Sequence, residues 1–169
     1  MTGSKEFFIR EAKELNKEQF LKKYPHPFLV QYTASENKEG KRMSFSTISV
    51  RSLDELLKIE AQDKKEIQDV FPVKKTENNP FSSKIIIGRT ATQDIIIDSS
   101  SISKFHAYFE IKEGKYLFYD KGSTNGSKLN NMELEASMSV MVRNNDIISL
   151  ASLNYTFYYA ETAYEVFRR

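Results

Sequence analysis

From Ile67 to Tyr159 the chain is a succession of short β-type runs, each closed by a turn signal, and that punctuation leaves few folds open. The runs are Ile67–Lys74, Ser83–Gly88, Asp94–Ile97, His106–Lys112, Tyr116–Asp120, Lys128–Leu129, Met132–Leu134, Val140–Val142, Ile147–Leu150 and Tyr155–Tyr159. Tyr, Phe and Ile dominate them, side chains that pack well on a pleated, half-buried surface. Ala107, Phe109 and Ile111 alternate with His106, Tyr108 and Glu110, which predicts one buried face and one wetter face. Glu113-Gly114 and Asn130-Asn131 suit hairpin turns that need positive φ, and Asn144-Asn145-Asp146 marks a further turn. Many short strands at regular spacing predict a mainly β fold, an antiparallel β-sandwich over residues 67–160.

Residues 1–66 read differently. Ser4 caps a predicted helix from Lys5 to Leu15, with Phe8, Ala12 and Leu15 on one face. Asn16-Lys17-Glu18-Gln19 has the form of a capping box and starts a shorter helix to about Lys23. Pro25 and Pro27 stop it, because a residue preceding proline is pushed out of the α region. Phe28–Thr33 and Met43–Val50 read as strands that could form a hairpin. Ser52 then opens another capping-box helix to about Ala61, with Leu53, Leu56 and Leu57 on one side. These apolar stripes need a surface to cover, so a short α/β extension packed on the sandwich is expected; a separate small α+β domain is the alternative. Residues 161–169 are expected as a C-terminal tail.

Composition narrows the chemistry. With 25 basic against 23 acidic residues the net charge is +2, and residues 1–80 carry 15 basic and 13 acidic side chains, so neither half advertises a nucleic-acid or membrane surface. Any anion binding must come from local geometry. Cysteine is absent, which excludes disulfides and thiolate metal sites. The first residues lack the apolar run of a signal peptide, and no stretch approaches a membrane span, so a cytoplasmic protein is expected.

The residues with chemical potential fall in the turns of the sandwich, where loops gather at one end and can converge on a ligand. Gly88 leaves room for close backbone approach, and Arg89 after it offers a guanidinium fork that matches phosphate oxygens. Ser103 and Lys104 place a hydroxyl and an ammonium in one loop, each able to donate to a phosphate oxygen. In Thr124-Asn125-Gly126 the Asn amide can both donate to and accept from a peptide backbone, and Gly126 permits a left-handed turn. Each signal alone has a plain reading, a strand-end arginine in solvent or an ordinary Asn-Gly turn. Ser103 and His106 invite a nucleophile-and-base reading, which fails for want of a third orienting group and an oxyanion signature; His26 lies between two prolines. Asp94, Asp98 and Asp120 are expected to cap turns rather than bind metal.

Arg89 to Ser103 is 103 − 89 = 14 positions and Ser103 to Asn125 is 125 − 103 = 22. In that order and spacing, Gly88-Arg89, Ser103-Lys104-Phe105-His106, Asp120 with Ser123-Thr124-Asn125-Gly126-Ser127, and Leu129-Asn130-Asn131 resemble a forkhead-associated (FHA) domain of the bacterial kind, a β-sandwich known for binding phosphothreonine. The resemblance covers roughly residues 68–160. It implies that Arg89 and Ser103 bind phosphate, that Lys104 is a second contact where the family more often has Arg or Asn, and that Thr124 touches phosphate or peptide. It further implies that Asn125 pairs with the peptide backbone, while Gly88, His106 and Gly126 shape the site, His106 by holding the serine loop. Ser127 stands where the family usually has threonine, a change expected to matter little, and Lys121 and Lys128 add a weak positive rim.

The reading that follows is a non-catalytic phosphothreonine-peptide module in Ser/Thr-kinase signalling. It needs no cofactor and no metal, and its partner is a threonine-phosphorylated protein or peptide, which includes the kinase itself. The alternative is a phosphate-independent interaction scaffold. An enzyme is disfavoured, because no Gly-rich phosphate loop, kinase signature or metal-spaced cluster appears.

Overall fold

The computed structural model describes residues 4–33, 66–77 and 79–169. The predicted strand Met43–Val50 and the predicted helix from Ser52 to Ala61 lie outside the described residues.

Two β-sheets face each other. The six-stranded sheet has β1 (Phe28–Tyr32), β2 (Ile67–Pro72), β7 (Ser127–Leu129), β8 (Met132–Glu133), β10 (Ile147–Leu150) and β11 (Leu153–Tyr158), in the order β2-β1-β11-β10-β7-β8. The five-stranded sheet has β3 (Lys84–Gly88), β4 (Ile95–Ile96), β5 (Ala107–Lys112), β6 (Lys115–Asp120) and β9 (Ser139–Val142), in the order β4-β3-β5-β6-β9. Every pairing is antiparallel except that of β3 with β4. The mainly β antiparallel sandwich read from the strand punctuation is the fold. Its turns use the expected residues in the left-handed region: Glu113 at φ 51°, Asn130 at 49°, Asn131 at 68° and Asn145 at 70°.

Between the sheets, Leu29, Ile85, Ile87, Ile95, Phe109, Phe118, Ile148, Leu150, Tyr155 and Phe157 form one core. The expected alternation of β5 holds only in part. Ala107 and Phe109 face the core, but Tyr108 on the other face is buried as well. Its ring stacks on Tyr119 at 4.7 Å and carries the Lys84 ammonium at 4.3 Å, so an aromatic strip covers that outer face. Ile111, at the far end of β5, is 53% exposed.

A second core lies on the outer face of the six-stranded sheet. α1 (Lys5–Glu14) and α2 (Lys17–Lys23) pack there with α3 (Ala160–Phe167), and Phe8, Ala12, Phe20, Tyr24, Ala163, Tyr164 and Phe167 meet Phe28, Val30 and Val70. The capping box of α2 is formed: the Gln19 N–H donates to Asn16 Oδ1 at 3.0 Å and the Asn16 N–H to Gln19 Oε1 at 3.1 Å. β1 is buried on both faces, because Leu29 enters the sandwich core while Phe28 and Val30 enter the helical one. It sits between β2 and β11, so a strand from the N-terminal segment is an interior strand of the sheet. The C-terminal stretch read as a tail is mostly helix, its Ala163, Tyr164 and Phe167 buried.

Candidate functional site

The site end of the sandwich is organised by backbone. β3 ends at Gly88, and a Cβ placed there would lie 2.2 Å from the Lys104 carbonyl oxygen. Only glycine lets the β4–β5 loop cross this closely. The crossing is stitched on both sides: the Arg89 N–H donates to Ser103 O at 3.2 Å, and the His106 N–H to Ile87 O at 2.9 Å. The Gln93 amide (3.1 Å) and the Thr90 hydroxyl (3.3 Å) both donate to the Lys104 carbonyl, which fixes the turn that presents the Lys104 side chain.

His106 is fully buried and has both ring nitrogens engaged. The Ser103 N–H donates to Nδ1 at 3.1 Å, so Nδ1 is unprotonated and Nε2–H donates to the Gly126 carbonyl at 3.2 Å. One neutral imidazole thereby joins the β4–β5 loop to the β6–β7 loop. Burial holds its pKa below the ordinary histidine value, against the raising influence of Gly126 O and the Asp120 charge. The ring is bonded to the Ser103 backbone and not to the Ser103 hydroxyl, an arrangement that positions the loop rather than activates a nucleophile.

The β6–β7 loop is shaped by Asp120. Oδ1 of this buried carboxylate accepts from the Gly122 N–H at 2.7 Å and the Ser123 N–H at 2.8 Å. Oδ2 accepts from the hydroxyls of Ser123 at 2.7 Å and Ser127 at 2.5 Å. Burial opposes the charge, but the donations from Ser127, Ser123 and Gly122 outweigh it and hold the carboxyl below its usual range. Gly122 and Gly126 take φ of 79° and 72°, so glycines flank the Ser-Thr-Asn tip in the left-handed region.

At the tip the loops touch through side chains. Ser103 Oγ accepts from the Thr124 N–H at 3.1 Å and faces Thr124 Oγ1 at 3.4 Å, while the Asn125 amide donates to Ser101 O at 2.8 Å. Arg89, Lys104, Thr124 and Asn125 are exposed and Ser103 is partly so. Arg89 is tied to Ser103 by its backbone, and Lys121 is exposed beside the tip. Lys128 is drawn away from the rim by an ion pair with Glu133 at 3.0 Å.

Three residues here were not singled out as site-shaping from sequence. Gln93 is a buried polar group with no motif of its own, Ser127 stands in the third motif but is expected there to matter little, and Asp120 is expected only to cap a turn. The signal for Asp120 was an acid followed by Gly and Ser at the spacing of an Asx turn. Asp94 does cap, but at long range: it accepts from the Thr76 N–H at 2.6 Å, the Ile86 N–H at 2.7 Å and the Asn79 amide. Among the described residues no cluster of three or more His, Asp or Glu could hold a metal ion, and no helix is long and apolar enough to cross a membrane.

The fold and the loop cluster define a two-sheet module that presents polar and charged side chains from the turns at one end. Residues 85–151 match the family model of the FHA domain. Among solved structures it is similar to Mycobacterium tuberculosis EmbR in complex with a low affinity phosphopeptide, at 26% identity and a TM-score of 0.42, over 46% of this chain and 20% of that one. The chain thus spans about a fifth of EmbR's length. It is similar to the FHA domain of an Arabidopsis thaliana hypothetical protein at 28% identity and a TM-score of 0.46, over 54% of this chain and 74% of that one. The FHA domain of Chlamydia trachomatis CT664 matches at 18% identity and a TM-score of 0.47, over 78% of this chain and 96% of that one. No curated protein sequence matches the chain.

Proposed function

We propose that the chain is a non-catalytic, cytoplasmic module that binds threonine-phosphorylated peptides in Ser/Thr-kinase signalling, through Arg89, Ser103, Lys104, Thr124 and Asn125. The observation that carries this reading is the meeting of Ser103 with Thr124 directly beside the Arg89 backbone. Ser103 Oγ accepts from the Thr124 N–H, which leaves its own proton on a long 3.4 Å contact to Thr124 Oγ1. A phosphate oxygen arriving there takes that proton at little loss, and the Arg89 guanidinium and Lys104 ammonium add charge-assisted bonds. The Asn125 amide, oriented by Ser101 O, keeps a carbonyl oxygen and a second N–H for the peptide backbone.

Phosphothreonine is preferred over phosphoserine in this reading, and the phosphate is not what separates them. Both carry the same charge, and the extra methyl is worth roughly 1–3 kcal/mol in a shaped pocket. An oriented phosphopeptide library selects a sequence, and calorimetry then compares its phosphothreonine, phosphoserine and unphosphorylated forms. The expected order is phosphothreonine, then phosphoserine, with the unphosphorylated form not binding. Equal binding of the unphosphorylated peptide would replace this reading with a phosphate-independent scaffold.

A further inference from the structure

Cross-strand register places three polar groups in one row on the inner face of the six-stranded sheet. Asp69 of β2 lies opposite Gln31 of β1, and Gln31 lies opposite Tyr155 of β11. Past Gln31 the register of β1 and β2 slips, so that Tyr32 opposes Ile67 and Gln68 is the extra residue. Bulges of this kind re-aim side chains. Here Gln68 and Asp69 line one cleft, where a regular strand would send neighbours to opposite faces. The cleft measures about 380 Å³ and its far wall is the segment from Ile96 to Ser99, which leads out of β4.

Tyr155 lines this cleft, is 1% exposed, and its hydroxyl has no hydrogen-bond partner among the described residues. Buried hydroxyls are nearly always partnered, so an orphan one beside a polar cleft marks a place for an incoming group. Burial, with the Asp69 charge, pushes the Tyr155 pKa up, so the phenol stays protonated. Among the described residues the lining carries two carboxylates, Asp69 and Asp98, and no lysine or arginine.

We infer that this cleft is a second binding site, and that it takes the guanidinium of an arginine side chain from a protein partner. The polar groups are spread along the row: adjacent strands lie about 4.8 Å apart, so the backbones of Asp69 and Tyr155 lie roughly 10 Å apart with Gln31 between them. A planar group with five donors in a fork serves such a spread, whereas an ammonium is a compact point charge. The site is independent of the phosphate reading, although it shares a wall with the β4–β5 loop. Ser99 in that wall accepts from the Ser101 N–H at 3.3 Å, and Ser101 O in turn holds Asn125.

The test is a nuclear magnetic resonance titration of the full chain with Nα-acetyl-arginine amide, its isosteric citrulline derivative and the lysine derivative. Saturable shifts are expected at Gln31, Asp69, Ser99 and the Tyr155 ring with the arginine compound. The citrulline and lysine compounds should bind about tenfold more weakly. Asp69→Asn should weaken the arginine compound to a similar degree, Tyr155→Phe should weaken it with the melting temperature kept, and Arg89→Ala should leave it unchanged. Equal binding of the arginine and citrulline or lysine derivatives, shifts that do not saturate, or an Asp69→Asn variant that binds as the wild type does would overturn the assignment.

Discussion

Replacing Gly88 by alanine tests the way the site end is built. The added methyl would sit 2.2 Å from Lys104 O, 2.8 Å from Lys104 C and 3.1 Å from Ser103 O, all of them backbone atoms. Ordinary contact begins near 3.4 Å, so the loop must retreat by 3.4 − 2.2 = 1.2 Å. That retreat breaks or stretches the Arg89–Ser103 bond of 3.2 Å and the His106–Ile87 bond of 2.9 Å. Forcing a methyl into packed surroundings costs about 1–3 kcal/mol. In a domain of this size each kcal/mol lowers the melting temperature by about 2–4 °C. Because the displaced backbone carries Ser103 and Lys104, phosphopeptide affinity should fall in the same variant. Denaturant melts and calorimetry on Gly88→Ala measure both. A variant with wild-type stability and wild-type affinity would refute the close crossing of the β4–β5 loop over β3.

His106 titrates below the ordinary histidine value, so its folded form favours the neutral ring. Its contribution to stability is therefore complete above about pH 6.5 and is lost as pH falls through the folded pKa; a ring titration by nuclear magnetic resonance with a midpoint at or above 6.5 would contradict this. Ser127→Ala removes a donor from the buried Asp120 carboxylate, which should cost about 1–3 kcal/mol in denaturant melts and raise the Asp120 pKa, whereas an unchanged midpoint would deny that network its role. Phe167→Ala empties a place in the helical core and should cost about 3–5 kcal/mol while phosphopeptide affinity stays intact, and loss of binding with little loss of stability would tie α3 to the site.

What the sequence discloses and what it hides divide along the range of the interactions. Strand runs such as Lys84–Gly88 and turns such as Glu113-Gly114 are local, set by side-chain shape and by φ, and they read directly. The capping box of α2 is equally local. The helix at the C-terminus was legible too, since Ala160, Ala163, Tyr164 and Phe167 recur at helical spacing, but so short a stripe is easily passed over. The place of β1 was not legible, because its partners β2 and β11 are chosen by two cores at once and neither shows in the local pattern. In the candidate site, the order and spacing of Arg89, Ser103 and Asn125 pointed to one family, while the hydroxyl of Ser127 and the amide of Gln93 act across loops that sequence does not juxtapose. Ser127 keeps the hydroxyl a threonine would bring, and that hydroxyl is the part the Asp120 carboxylate uses.

The most direct test of the central claim is calorimetry of a selected phosphothreonine peptide on the wild type and on Arg89→Ala. Arg89 is an exposed strand-end residue, so the variant should keep its melting temperature. Truncating one partner of a desolvated charge pair costs about 2–5 kcal/mol, and affinity should fall by that amount. A folded Arg89→Ala that binds the phosphopeptide as tightly as the wild type would contradict the account.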